Sequence, residues 1–372
     1  MSRSWVDVDL GAVAANVATL RAAAPDAELC AVVKAEGYGH GAVAVAQAAL
    51  DAGATRLAVA QVGEGMALRA AGLEAPIWIL SEPDPPELGA AARHRLEPAV
   101  YSTAAIDTAA AAATAGEPLT VHLKIDTGMH RAGAAPGDAI DLAGRIVAAP
   151  SLILGSVWTH LACADDDAAD DPDAPTGRQL ACYEATLAAL AAAGVEVPLR
   201  HAANSAGCLL HPRSRHDVVR CGLALYGLAP TPELAAAGRL RPALTWRSTV
   251  GMVKRLPAGS AVSYGWRQRL AVAATVATVP VGYADGYRRA LWERGAVLIG
   301  GRRRPIVGVV TMDQLVADCG DDPVRPGDEV VLLGRQGDES ITADELAGLL
   351  GTINYEIPTA IGPRVERRHR LP

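Results

Sequence analysis

The feature that most constrains the fold is a rhythm. Over the first two-thirds of the 372-residue chain, eight short strand-like runs alternate with alanine-rich stretches of helical character. The runs are 30–34, 57–61, 77–80, 97–101, 119–126, 152–160, 199–203 and 218–226; helical stretches such as 41–51, 103–114 and 179–192 lie between them. Eight strands separated by helices predict a parallel (β/α)8 barrel of the TIM type. A doubly wound open sheet is the alternative, and it gives fewer units over this length.

From about Leu240 the rhythm changes. Helical segments nearly vanish, and Val, Thr and Gly alternate in 243–256, 272–281, 296–299, 306–310 and 329–333. Turn signals separate these runs at Pro257-Ala258-Gly259, Gly300-Gly301 and Arg325-Pro326-Gly327-Asp328. The pattern predicts a mainly β C-terminal domain, with one short helix at 342–350 capped by Thr342 or Ser340. The boundary is expected within 231–239, giving a barrel over 1–235 and a β domain over 236–372. The length agrees, because 372 residues exceed one ordinary core.

Charge and cysteines remove several function classes. The net charge of −7 is spread along the chain, and the densest basic runs, 302–304 and 367–370, are too short to track a nucleic acid. Six cysteines lack any C-x-x-C spacing, which reads as reduced thiols in a cytoplasmic protein. The uncharged stretch 270–284 is too short for a membrane span, and the opening MSRSWVDVDL has no apolar core for a signal peptide. The acidic segment 165–175, DDDAADDPDAP, reads as a solvated loop; it lacks the glycine and terminal Glu of a calcium loop.

In a barrel of this kind the chemistry sits where strands end. Polar residues gather there: Lys34 after the first strand, Lys124, Asp126 and Arg131 at the fifth, His160 at the sixth, Asn204 and Ser205 at the seventh, Arg220 in the eighth. By position alone Lys34 is equally a solvated strand end or an amine nucleophile. The run Gly37-Tyr38-Gly39-His40-Gly41 tilts the reading, since it lets backbone approach a ligand.

VVKAEGYGHG is similar to the cofactor-lysine motif of the alanine racemases. LKIDTGMHR, THLACAD, HAANSAG, VRCGLALYGLAP, VSYG, PVGYADGY, VTMDQ and TINYEI resemble further segments of the same family in the same order, across residues 34–357. The resemblance implies a fold type III, pyridoxal 5'-phosphate-dependent enzyme that interconverts L- and D-alanine, for peptidoglycan precursors, as a homodimer with composite active sites. Lys34 matches the lysine that forms the Schiff base and moves a proton on one face of the α-carbon. Tyr264 matches the tyrosine serving the other face from the partner subunit. Arg220 matches the arginine against the pyridine nitrogen, and His160 the histidine that orients it. Arg131 corresponds to an arginine near the cofactor's phenolic oxygen and the substrate, and Lys124 to a lysine that can be carbamylated. Ser205, the N–H groups of Gly222 and Leu223, and the hydroxyls of Tyr38 and Tyr355 match phosphate ligands, with Asn204 behind them. Met312 and Asp313 resemble the pair that lines the substrate site from the second subunit, and Tyr283 resembles a residue of the entrance. Glu36, where Asp or Asn is frequent in the family, and His130, in a variable slot, depart without touching the chemistry.

Five alternatives are weighed, among them a purely structural or interaction protein, which would not need this ordered set of motifs. A broader-specificity racemase is another, and a single-barrel cofactor carrier is opposed by the β domain carrying Tyr264. A barrel decarboxylase is opposed by Arg220, since those enzymes use a carboxylate there. A metal-dependent barrel hydrolase would use His160, His201 and Asp126, and leaves Lys34 unexplained.

Overall fold

Strand β1, Ser4–Asp9, opens the chain and lies outside the barrel. It pairs antiparallel with Leu244–Thr249 and parallel with Glu366–Arg370, in the β-rich part of the molecule. This computed structural model describes residues 3–113, 116–166 and 171–371. Its two compact units are Val13–Gly37 with Ala42–Arg241, and Met1–Ala12 with Tyr38–Gly41 and Pro242–Pro372. The strand was invisible in the sequence because SWVDVD resembles any solvent-facing start. Both of its faces are covered over most of its length: Val6, Asp7 and Val8 are buried, and Asp9 at its end is exposed.

Eight strands build the first unit: β2 (Glu28–Val32), β3 (Arg56–Val59), β4 (Ile77–Ile79), β5 (Glu97–Val100), β6 (Leu119–Lys124), β7 (Leu152–Trp158), β8 (Arg200–His201) and β9 (Val218–Cys221). They run parallel in the order β8-β7-β6-β5-β4-β3-β2-β9. The two ends meet where the Asp217 N–H donates to the Arg200 carbonyl and the Arg220 N–H to the Ala203 carbonyl, each at 3.0 Å. The result is the expected (β/α)8 barrel, nearly closed. Leu119, Val121, Leu123, Val157 and Tyr183 are among its buried core residues, and each such aliphatic side chain contributes about 1.5–3 kcal/mol. The eighth strand stops earlier than expected. Gly222 turns the chain into a 3-10 turn, Leu223–Tyr226. Helices Ala42–Asp51, Thr103–Ala112 and Pro175–Ala192 occupy the alanine-rich stretches. Residue 114 of the second stretch and 167–170 of the acidic segment lie outside the described residues.

The second unit holds β1 and β10 (Leu244–Thr249), β11 (Met252–Leu256), β12 (Ala261–Val262), β13 (Gln268–Arg269), β14 (Ala274–Val279), β15 (Ala296–Ile299), β16 (Arg302–Pro305), β17 (Leu315–Gly320), β18 (Glu329–Gln336), β19 (Glu339–Ile341) and β20 (Glu366–Arg370). One sheet runs β16-β15-β18-β10-β1-β20 with β19 on β18, and a second runs β11-β14-β17. The single strand expected over 243–256 is therefore two. Val250 N–H donates to the Asp328 carbonyl and Gly251 N–H to the Thr278 carbonyl, both at 2.8 Å, so adjacent residues serve different sheets. Residues 306–310 form one isolated bridge, Ile306 to Ala317, and the arginine-rich 302–305 is the strand instead. Its guanidinium groups are tied to Asp322, Glu339 and Glu345, which a count of charges does not show. The expected helix is Ala343–Leu350, capped by the Thr342 hydroxyl on the Glu345 N–H at 3.1 Å.

Candidate active site

Lys34 stands two residues beyond β2, and the backbone after it is unusual. Ala35, Glu36, Gly37 and Tyr38 all have positive φ, at 52°, 54°, 58° and 53°. That is one left-handed helical turn, three of its residues carrying a Cβ. Each such residue costs about 1–2 kcal/mol, so the turn exists only because its surroundings enforce it. Glu64 is the main support. Its carboxylate accepts the Ala35 N–H at 2.6 Å and the N–H groups of Ala60 and Gln61 at 2.8 and 3.0 Å. The Gly37 N–H closes the turn on the Val33 carbonyl at 2.9 Å, and the Tyr226 hydroxyl donates to the Val32 carbonyl at 3.0 Å. Glu64→Ala should therefore lower stability by about 1–3 kcal/mol, read as a fall in the urea midpoint; an unchanged midpoint would show that the turn is held by other groups.

The barrel unit gathers positive charge. Burial, then the Arg131 charge, lowers the Lys34 amine below the usual lysine range. Burial, then Arg220 and Arg131, brings Lys124 at the end of β6 down to about 8. Burial and then Arg220 hold His160 well below the usual histidine range, so its ring is neutral. Arg220 in β9 is buried and brought down to about 10, still charged at neutral pH. Among the described residues, no carboxylate lies within ion-pair distance of Lys34, Lys124, Arg131 or Arg220. Lys124 and Arg220 instead both face the Trp158 ring, at 4.8 and 4.7 Å from its centroid. Four basic groups gathered without a carboxylate in contact favour an anionic ligand.

Arg220 is held by neutral acceptors. Its Nη1 donates to His201 Nδ1 at 2.7 Å, and its Nη2 to the carbonyls of Thr159 and Ala202 at 2.8 and 3.1 Å and to His160 Nδ1 at 3.3 Å. His160 thus does reach the arginine, but His201 makes the shorter bond. The sequence reading had His201 only as a ligand in the metal-hydrolase alternative. Among the described residues no three His, Cys, Asp or Glu side chains gather to hold a metal ion.

A cradle of donors lies between the last two strands. Asn204 caps the following helix through its side-chain oxygen on the Gly207 N–H, at 2.9 Å, and so fixes Ser205 as its first residue. The buried Ser205 Oγ accepts from the N–H groups of Gly222 and Ala224 at 3.1 and 3.2 Å. Leu223 opens the 3-10 turn, so its N–H has no partner within that turn.

The β unit carries the remaining residues. Tyr38 and Tyr355 form a tilted ring pair 6.3 Å apart. Tyr264 is 75% exposed and shares a cleft with Trp266, Thr311 and Gln314. Its neighbours Ser263, Gly265 and Trp266 all have positive φ, and the Ser263 hydroxyl donates to the Val309 carbonyl at 2.6 Å. Tyr283 and Met312, both exposed, are linked through backbone: the Tyr283 N–H donates to Thr311 and the Ala284 N–H to Met312, each at 3.0 Å. Arg364 holds Asp313 at 2.8 Å and the buried Asp285 at 3.3 Å. Among the described residues, no helix is long and apolar enough to cross a membrane.

These features define a two-unit barrel enzyme with a lysine after one strand, a buried arginine in the last strand, and a serine-capped turn beside it. Residues 8–230 match the family model for the N-terminal domain of alanine racemase, and residues 243–369 match that for its C-terminal domain. Alanine racemase from Symbiobacterium thermophilum is 49% identical over 99% of this chain and 97% of its own. The solved alanine racemase of the D-cycloserine producer Streptomyces lavendulae is 42% identical, with a TM-score of 0.92 over 100% of this chain and 97% of its own. That of Bacillus anthracis with bound L-Ala-P is 38% identical, with a TM-score of 0.91 over 98% and 94%. The chain belongs to the alanine racemase family, a family of isomerases.

Proposed function

We propose that the chain racemises alanine with pyridoxal 5'-phosphate, using Lys34 and Tyr264 as the two proton-transfer groups. The observation that carries this reading is the gathering of Lys34, Lys124, Arg131 and Arg220 with no carboxylate at ion-pair distance. It fits a ligand that brings a phosphate and a substrate that brings a carboxylate. Ser205, the N–H groups of Gly222 and Leu223, and the hydroxyls of Tyr38 and Tyr355 would hold the phosphate. Arg220 would face the ring nitrogen. Pyridoxal phosphate, when bound, supplies the electron sink that makes the substrate α-proton acidic.

The protein's own part is proton placement. Burial and Arg131 shift Lys34 toward its neutral amine, the form that can take a proton. Arg220 has donors only, so a nitrogen placed against it stays unprotonated. Arg131, Met312 and Asp313 would receive the substrate, and Tyr283 would line its entrance. Tyr264, Trp266, Met312 and Tyr283 form a set of exposed large side chains on the β unit. Such a set favours cover by a second copy, and a homodimer would place Tyr264 in the partner's site. The enzyme is read as cytoplasmic, with no nucleic-acid or membrane partner.

Two groups on opposite faces of one carbon have a diagnostic isotope behaviour. Tyr264→Phe should slow interconversion by about 10²–10⁴-fold. One enantiomer should still exchange its α-proton with D2O, through Lys34. Equal loss of exchange for both enantiomers would contradict the two-group assignment.

Lys124 would serve as an anion partner for Arg131 once carbamylated. Its neutral Nζ adds to CO2 and loses a proton, which leaves a carbamate. With the amine at about 8, the reactive form grows as pH rises and is almost absent near pH 6. In 13C-bicarbonate, a carbamate signal is expected near pH 8.5, lost near pH 6, and absent from Lys124→Ala. No signal at the higher pH would remove this role.

A further inference from the structure

Behind Arg220 the barrel interior contains a continuous chain of polar side chains that the proposed chemistry does not use. It starts at Arg220, whose Nη1 donates to His201 Nδ1 at 2.7 Å. His201 Nε2 lies 2.8 Å from Ser156 Oγ, Ser156 Oγ lies 2.7 Å from His122 Nδ1, and His122 Nε2 lies 3.0 Å from Glu97 Oε2. Ser156 and His201 are fully buried, and His122 and Arg220 nearly so. The rings of Trp78 and Trp158 stack on His201, with centroids at 4.6 and 5.5 Å. Trp78 also donates its N–H to Glu97 at 2.9 Å.

The direction of every bond follows from one end. Arginine has no acceptor, so His201 Nδ1 must accept. Neutral His201 then carries its proton on Nε2 and gives it to Ser156. The Ser156 hydroxyl donates to His122 Nδ1, and His122 Nε2–H donates to the Glu97 carboxylate. All four bonds point from the cation to the anion, and such aligned chains strengthen one another. A backbone device makes the geometry possible. The β6–β7 register shifts between Val121 and His122, which leaves Gly155 unpaired and puts Ser156 opposite His122. A Cβ on Gly155 would lie 2.8 Å from the His122 ring, so only glycine leaves it room.

We propose that Glu97 and Ser156 are positioning residues, fixing the proton of His201 on Nε2 so that its Nδ1 anchors Arg220. The arrangement compensates the buried guanidinium from a carboxylate three side chains away. A carboxylate in direct contact would occupy the face that Arg220 offers to a ligand. Burial, then the Arg220 charge, holds His201 well below the usual histidine range, so the neutral ring this scheme needs is the stable one. Burial raises the Glu97 carboxyl, but hydrogen bonds from His122 and Trp78 outweigh it, and it stays ionised. The effect on turnover rests on the racemase reading; the proton positions do not.

The test is a two-bond 1H–15N correlation spectrum of 15N-histidine-labelled full-length protein near pH 7, which reports tautomers whether or not catalysis occurs. His201 should be neutral with its proton on Nε2, and His122 should carry a proton on Nε2. In Glu97→Gln and Ser156→Ala, each checked for folding by its melting curve, the His201 pattern should move away from that form. The kcat for alanine should fall by about 10-fold with KM little changed, as for other outer residues that orient a site. His201 protonated on Nδ1 or on both nitrogens in the wild type would overturn the proposal. So would an unchanged His201 pattern in both folded variants. A wild type with these tautomers but no racemisation would reject the proposed reaction alone.

Discussion

Lys34→Ala should abolish alanine racemisation, with a loss of about four orders of magnitude or more in kcat/KM. The lysine is asked to bind the cofactor and to move a proton, and no other described amine stands at that strand end. Lys124 is the nearest candidate, and its own neighbours are Arg220 and Arg131. The same substitution should leave the fold intact. Lys34 has a folded-state pKa below its unfolded one, so protonation favours the unfolded chain. Removing it relieves that penalty at neutral pH, and the relief disappears above the ordinary lysine pKa, where both states are neutral. The melting temperature near pH 7 should therefore stay level or rise. Racemisation by Lys34→Ala within about tenfold of wild type would exclude the role.

Arg220→Met should have the largest effect on stability. The substitution keeps much of the volume and removes a buried cation that feeds two carbonyls and two imidazoles. Those acceptors lose their donors in a place water cannot reach. The expected cost is about 3–5 kcal/mol. For a chain of this size that is a fall in melting temperature of roughly 10 °C. Lys124 should rise from about 8 at the same time, because Arg220 is the largest charge holding it down. A melting temperature within a degree of wild type would show that Arg220 is not the keystone of this barrel end.

The barrel was legible because its eight strands are short apolar runs set apart by alanine-rich helices. The candidate site was legible where its residues sit in contiguous motifs, as at Lys34, Ser205 and Arg220. Two kinds of feature were not. Strand β1 belongs to a sheet built mostly from residues more than 230 positions away, and no local pattern announces such pairing. The left-handed turn at 35–38 is enforced from outside by Glu64, which reads in sequence as an ordinary helix-start carboxylate. Likewise Glu97, His122, Ser156 and His201 come from four different strands, and only the barrel's closure aligns them.

The central claim is interconversion of the two alanine enantiomers, and mirror symmetry fixes its end point. L- and D-alanine have equal free energies in water, so a racemase brings either to the same equal mixture. Full-length protein with added pyridoxal phosphate should be given pure L-alanine in one tube and pure D-alanine in another, in D2O, and followed by optical rotation and mass. Both tubes should lose rotation completely and gain one deuterium at the α-carbon. Rotation that persists in both tubes, with the cofactor present, would contradict the account.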